Sequence, residues 1–169
     1  MSKKLNSFIL KGDTINLMKD LLQRTKQDRL ERGFDLCLNI VTKELIHRNV
    51  CTGSICEIKI KGECDFGKLE ILEGGYHTHS SPLSSRPSLH DLVIGLQYGI
   101  ECIGAARDDS IKCYIKKQFP AKEESIVMTR ALELTNKFDN RCLTEKEFKE
   151  FMKLEDIIRE KYFKTFDIK

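Results

Sequence analysis

The sequence predicts a single α/β domain, a central mixed β-sheet flanked by helices, ending in a helical C-terminal extension. Three observations carry this. The chain has 169 residues, of which 40% are hydrophobic and 33% charged, enough for one buried core. Segments whose apolar residues alternate with period two are interleaved with segments where they recur every three or four positions, so strands and helices follow one another. The last third carries the helical period alone.

The elements follow in order. Asp13 or Thr14 can cap a first helix, in which Ile15, Met18, Leu21, Leu22 and Thr25 form one face up to about Asp28. From Glu31 the period changes. Phe34, Leu36, Leu38 and Ile40 alternate as in a strand buried on one face, and β-compatible residues continue from Val41 to Val50. A turn at Thr52-Gly53-Ser54 precedes a second alternating run, Ile55 to Ile60, and Gly62 and Gly67 mark further turns. Leu69, Ile71 and Leu72 predict a short strand that stops at Gly74-Gly75, and Tyr76-His77-Thr78-His79 a further short one. The Ser/Pro-rich stretch from Ser80 to Ser88 is a loop, Leu89 to Tyr98 a helix stopped by Gly99, and Ile100–Ala106 with Ile111–Lys116 a hairpin. Pro120 then separates the sheet from two helices. One spans Ser125–Phe138. The other opens at Thr144-Glu145-Lys146-Glu147, a capping-box pattern, and carries Phe148, Phe151, Met152, Glu155, Ile158 and Tyr162 on one face. The expected division is a core over 1–118 and a helical extension over 119–169, packed on the same domain.

Composition narrows the function classes. Lys plus Arg is 29 and Asp plus Glu 26, a formal net charge of +3. So small a balance gives no argument for nucleic-acid or membrane-surface partners, and none is expected. The lack of Trp and the 8% aromatics also argue against a stacking platform for single strands. No apolar run is long enough to span a membrane, and no signal-peptide core follows the basic N-terminus. The expectation is a cytoplasmic protein whose seven Cys are reduced.

Chemistry concentrates in one stretch, where three of the four His fall between positions 77 and 90. In an extended His77-Thr78-His79, both imidazoles project from the same side. Asp91, in the first turn of the helix after the Ser/Pro loop, can return to them as a third ligand. Two neutral imidazoles and a carboxylate suit Zn2+ and leave the open position a catalytic site needs. Ser88 stands three residues before Asp91, and Ser-x-x-Asp is equally the pattern of a helix N-cap with its capping-box acid.

The segment from His77 to Asp91, with Ser80-Ser81-Pro82 after the His pair and Arg86-Pro87-Ser88-Leu89-His90-Asp91-Leu92 at its end, resembles the metal signature of the JAMM (MPN+) metalloproteases, compact archaeal members above all. Those enzymes are zinc isopeptidases that release ubiquitin or ubiquitin-like modifiers from lysine side chains. The resemblance covers about 13–114 and implies an MPN fold with cytidine-deaminase-like layering. It implies zinc on His77, His79 and Asp91, Ser88 as a donor to the oxyanion, and an upstream Glu as general base. Glu31, 46 positions before His77 (77 − 31), stands where that Glu belongs, and Glu44 and Glu57 are its rivals. The implied substrate is a ubiquitin-like protein or its conjugate, with a flexible Gly-Gly tail. There are two departures: eight residues separate His79 from Ser88 where the family has seven, and Ser80 replaces the Pro after the second His.

Other readings stay open. An inactive scaffold of the same fold would bind a partner without chemistry. A PHP-type phosphoesterase also begins with His-x-His, but the following strand ends Ala105-Ala106-Arg107-Asp108, without the His that family carries there. A zinc deaminase lacks its Pro-Cys-x-x-Cys. Cys37, Cys51, Cys56 and Cys64 read as buried thiols rather than a second metal site, and His47 and His90 as surface or supporting residues.

Overall fold

The computed structural model of the chain describes residues 1–53 and 64–169. Among these an eight-stranded mixed sheet runs through one α/β domain with four α-helices. The strands are β1 (Lys3–Leu5), β2 (Phe8–Leu10), β3 (Arg32–Asn39), β4 (Glu44–Thr52), β5 (Glu70–His79), β6 (Ile100–Ala105), β7 (Ser110–Lys116) and β8 (Phe163–Asp167). Their order across the sheet is β1-β2-β4-β3-β5-β6-β7-β8. The helices are α1 (Gly12–Asp28), α2 (Leu89–Tyr98), α3 (Ala121–Asp139) and α4 (Glu145–Tyr162).

Period-two alternation assigns side chains to the two faces of the sheet. Phe34, Leu36 and Leu38 of β3, Tyr76 of β5, Ile100 and Cys102 of β6, and Ile111, Cys113 and Ile115 of β7 share one core with Ile15, Met18, Leu21 and Leu22 of α1. Ile103 and Tyr114 belong to a second core, with Leu89, Leu92, Val93 and Leu96 of α2, Ala131 and Leu134 of α3, and Phe151, Ile158 and Tyr162 of α4. The sheet therefore lies between α1 and a layer formed by α2, α3 and α4. Since Tyr76 faces α1, His77 and His79 cannot lie on the same face as both Tyr76 and Thr78. Thr78 bonds to Thr25 of α1 at 2.7 Å, which leaves the two imidazoles on the α2 side.

Several expectations are corrected. The lone alternating strand after Glu31 is buried on both faces, because Gly33, Asp35 and Cys37 are enclosed along with Phe34, Leu36 and Leu38. The two short strands flanking Gly74-Gly75 are one ten-residue strand. Gly74 does not break it; it has φ +153°, and a Cβ there would come 1.7 Å from the Ile100 carbonyl. Glycine thus permits the close approach of β5 and β6 that a side chain would block. α1 takes Lys11 as N-cap, with no side-chain cap, while Asp13 lies in its first turn and Thr14 is buried. α3 begins at Ala121, directly after Pro120. On α4 the buried face is Phe151, Ile158 and Tyr162, whereas Phe148 and Met152 are exposed. The final third is not wholly helical: β8 follows α4 without a break and pairs antiparallel with β7. The alternating run Ile55 to Ile60 lies outside the described residues.

The reduced-thiol expectation is also corrected. Disulfides join Cys37 to Cys64 and Cys102 to Cys113. Cys102 and Cys113 face each other across the β6–β7 ladder, with Cα atoms 4.0 Å apart. The hairpin itself presents them to one another, which composition and compartment arguments do not register.

Candidate metal centre

β5 and β6 run parallel and are joined through the Ser80–Ser88 loop and α2. The crossover sets the start of α2 over the C-terminal end of β5, the place where open α/β sheets bind ligands. His77 and His79 end β5, and Asp91 is in the first turn of α2.

These three side chains converge. The Nε2 atoms of His77 and His79 are 2.9 Å apart. Asp91 places its Oδ1 3.4 Å from His77 Nε2 and its Oδ2 3.7 Å from His79 Nε2. Around a tetrahedral zinc with ligands at about 2.0–2.2 Å, donor atoms stand roughly 3.3–3.5 Å apart; the Nε2 pair is a few tenths of an ångström closer than that, and a different oxygen of Asp91 lies near each ring. His77 and Asp91 are buried and His79 half-buried. The other imidazole nitrogens are both engaged: His77 Nδ1 lies 2.7 Å from Glu101 Oε1, and His79 Nδ1 2.7 Å from the Ser84 carbonyl. The two Nε2 atoms share a hydrogen bond across the space between them; with an ion bound there, each ring would be neutral, donate from Nδ1 and present its Nε2 lone pair.

The electrostatics reflect the same crowding. Burial opposes a charge on His77, but Asp91, Glu101 and Glu31 outweigh it and raise its pKa to about 9. Burial and the neighbouring His77 lower that of His79. Burial likewise opposes ionisation of Asp91, yet His77, His79 and hydrogen bonds from Ser88 hold its pKa below the usual carboxylate range. Three acids against two imidazoles make a site that favours positive charge between them.

Glu31 precedes β3 and is buried, 5% exposed. β3 pairs antiparallel with β5, Gly33 opposite His77, and Glu31, just before β3, lies within electrostatic reach of His77 and Asp91. Burial pushes its carboxyl up to about 7, against the pull of His77 and a hydrogen bond from the Ser80 backbone. The structure thus brings Glu31 to the His pair. Glu44 is half-exposed and pairs with Lys11 at 4.0 Å; Glu57 lies outside the described residues.

Ser88 is the N-cap of α2. Its Oγ accepts from the Asp91 amide at 3.1 Å and its amide donates to Asp91 Oδ2 at 2.9 Å. The N-cap reading of Ser-x-x-Asp is the one the structure shows, and the same capping box turns Asp91 toward the imidazoles. The loop between is pinned rather than loose. Tyr114 donates to the Ser85 carbonyl at 2.8 Å, Ser110 bonds to Ser85 Oγ at 2.8 Å, and Arg86 pairs with Asp156 of α4. Glu155 of α4 accepts from the Leu89 amide at the start of α2 at 3.2 Å. The loop with one residue more than the family pattern is therefore held from three sides. His90 is exposed, and His47 bonds to Thr14 at 2.9 Å away from the centre.

Sequence reasoning missed Glu101, which is 1% exposed and bonded to His77. The available signal was an acid inside the apolar run from Ile100 to Ala106.

No family model and no curated protein matches the chain. Among solved structures, it is similar to a JAB1/MPN domain protein from Archaeoglobus fulgidus, with 20% sequence identity and a TM-score of 0.41 over 66% of this chain and 90% of that one. No helix among the described residues is long and apolar enough to cross a membrane.

Proposed function

We propose that the protein is a zinc-dependent hydrolase of the MPN+ type, cleaving an isopeptide bond between a ubiquitin-like modifier and a lysine side chain. The observation that carries this reading is the convergence of His77 Nε2, His79 Nε2 and Asp91 next to the buried Glu31 carboxyl. A zinc ion held by these three would polarise the scissile carbonyl and lower the pKa of water at the site.

The chain's own residues supply the rest. Glu31, with a pKa near neutrality, is suited to take a proton from the attacking water and return it to the departing lysine amine. The Ser88 hydroxyl accepts from the Asp91 amide and lies beside the Asp91 carboxylate, and by turning its hydrogen it can donate to the oxyanion. A well-placed donor of that kind is worth roughly 2.7–4 kcal/mol. The Ser84 carbonyl, on a loop tied to Tyr114, Ser110 and Asp156, fixes the ring of His79. No step requires a covalent intermediate, and the four disulfide-bonded Cys are not available as nucleophiles.

The test is hydrolysis of a fluorescent lysine peptide carrying a Gly-Gly-terminated ubiquitin-like protein on its Nζ. Release of the peptide that stops with a chelator and returns with zinc is expected. A zinc-loaded protein that releases none from any of a panel of modifiers refutes the hydrolase reading and favours a binding role.

A further inference from the structure

We infer that Glu101 is a positioning residue of the metal centre, holding the His77 ring by its Nδ1 so that Nε2 faces the ion; this rests on the zinc reading above. Glu101 sits in the middle of β6, 1% exposed, and its Oε1 lies 2.7 Å from His77 Nδ1. Its other oxygen, Oε2, is buried and finds no hydrogen-bond partner among the described residues. Its sequence neighbours Ile100, Cys102 and Ile103 are fully buried apolar residues.

A carboxylate in such surroundings costs free energy unless something compensates. An apolar residue would serve the packing of β6 better. What Glu101 gains is the single contact to His77, so its place is explained by what it does to that ring. A carboxylate on the far nitrogen of a metal-binding His fixes the tautomer and the ring plane, and strengthens the near nitrogen as a donor. The corresponding contact at His79 comes from a neutral backbone carbonyl, Ser84. The two imidazoles are thus held differently, one by a charge on a strand and one by a dipole on a loop.

The position of Glu101 follows from topology. β6 lies parallel to β5 with Glu101 paired to Gly75, and the α2 face of β6 points the acid at the side chain two residues further along β5. Its partner across the next ladder is Tyr114, whose hydroxyl holds Ser85 beside the Ser84 that orients His79. One rung of the β6–β7 pair therefore supports both metal-facing imidazoles. Cys102 and Cys113 join the neighbouring rung.

The experiment compares zinc affinity, by competition with a chromophoric chelator, in the full-length wild type, Glu101→Leu and Glu101→Gln. Melting of the chelator-treated proteins runs alongside. Glu101→Leu is expected to bind zinc about 10–100-fold more weakly, while its metal-free form still unfolds in one cooperative transition. Glu101→Gln keeps an acceptor for Nδ1 and is expected between the two. A merely structural residue would lower the melting temperature and leave zinc affinity alone. Zinc affinity of Glu101→Leu within threefold of wild type overturns the inference and leaves the metal reading standing; a wild type that binds no zinc overturns both. Should Glu101→Leu fail to fold, Glu101→Gln decides: zinc affinity below wild type is expected, and affinity equal to wild type overturns the inference.

Discussion

Replacing Glu31 by Gln should weaken catalysis and strengthen the metal-free fold, and the second effect depends on pH. The Glu31 carboxyl is buried and its pKa rises from 4.5 to about 7. An acid whose folded pKa is raised contributes stability that is fully present below its unfolded value and is lost as pH rises through the folded one. At about 1.4 kcal/mol per pH unit, the rise corresponds to as much as about 3 kcal/mol withdrawn from the wild type between pH 4.5 and pH 8. Gln does not ionise, and its carbonyl can still accept from the Ser80 backbone. In urea unfolding with chelator present, Glu31→Gln is expected to match wild type near pH 4.5 and to exceed it by up to about 3 kcal/mol near pH 8.5. The same variant should keep zinc and lose about 10²–10⁴-fold in kcat/KM, the range for a removed general base. An increment that is the same at both pH values would refute the burial argument. Full activity would show that another group takes the proton.

Ser88→Ala separates the two duties of that residue: loss of the cap should cost about 1 kcal/mol of stability, and loss of the oxyanion donor about 10²–10³-fold in kcat. An unchanged kcat would reduce Ser88 to a helix cap. Alkylation of protein denatured without reductant, read by mass spectrometry, should spare Cys37, Cys64, Cys102 and Cys113, since all four are disulfide-bonded. Labelling of all four would return them to reduced core thiols. Reduction of the Cys102–Cys113 link, which spans 11 residues, should lower stability by about 2–3 kcal/mol in thermal melts.

What was legible in the sequence and what was not divides on physical lines. His77 and His79 were readable because period two is fixed by strand geometry, and Asp91 because a capping box orients its acid whether or not a metal is bound. Glu31 was readable only through resemblance: nothing local distinguishes it from a solvated acid, and its burial comes from β3 pairing with β5, a contact between distant segments. Glu101 depends on the same kind of contact, since only the parallel β5–β6 register makes it a neighbour of His77. β1 and β2 have three residues each, too few to show a period. β8 follows α4 without the Gly or Pro that would announce a change of element. Gly74 misled in the other direction: it reads as a stop, and it serves close packing within a continuous strand. The disulfides escaped because facing positions on a hairpin are a property of register, while the reduced-thiol expectation rested on compartment.

The measurement closest to the central claim is the metal content of the full chain purified without chelator, wild type beside His77→Ala and His79→Ala. The account predicts about one zinc per wild-type chain and loss of most of it in either variant, with both still folded by circular dichroism. A wild type without zinc, or variants that retain it fully, would contradict the account.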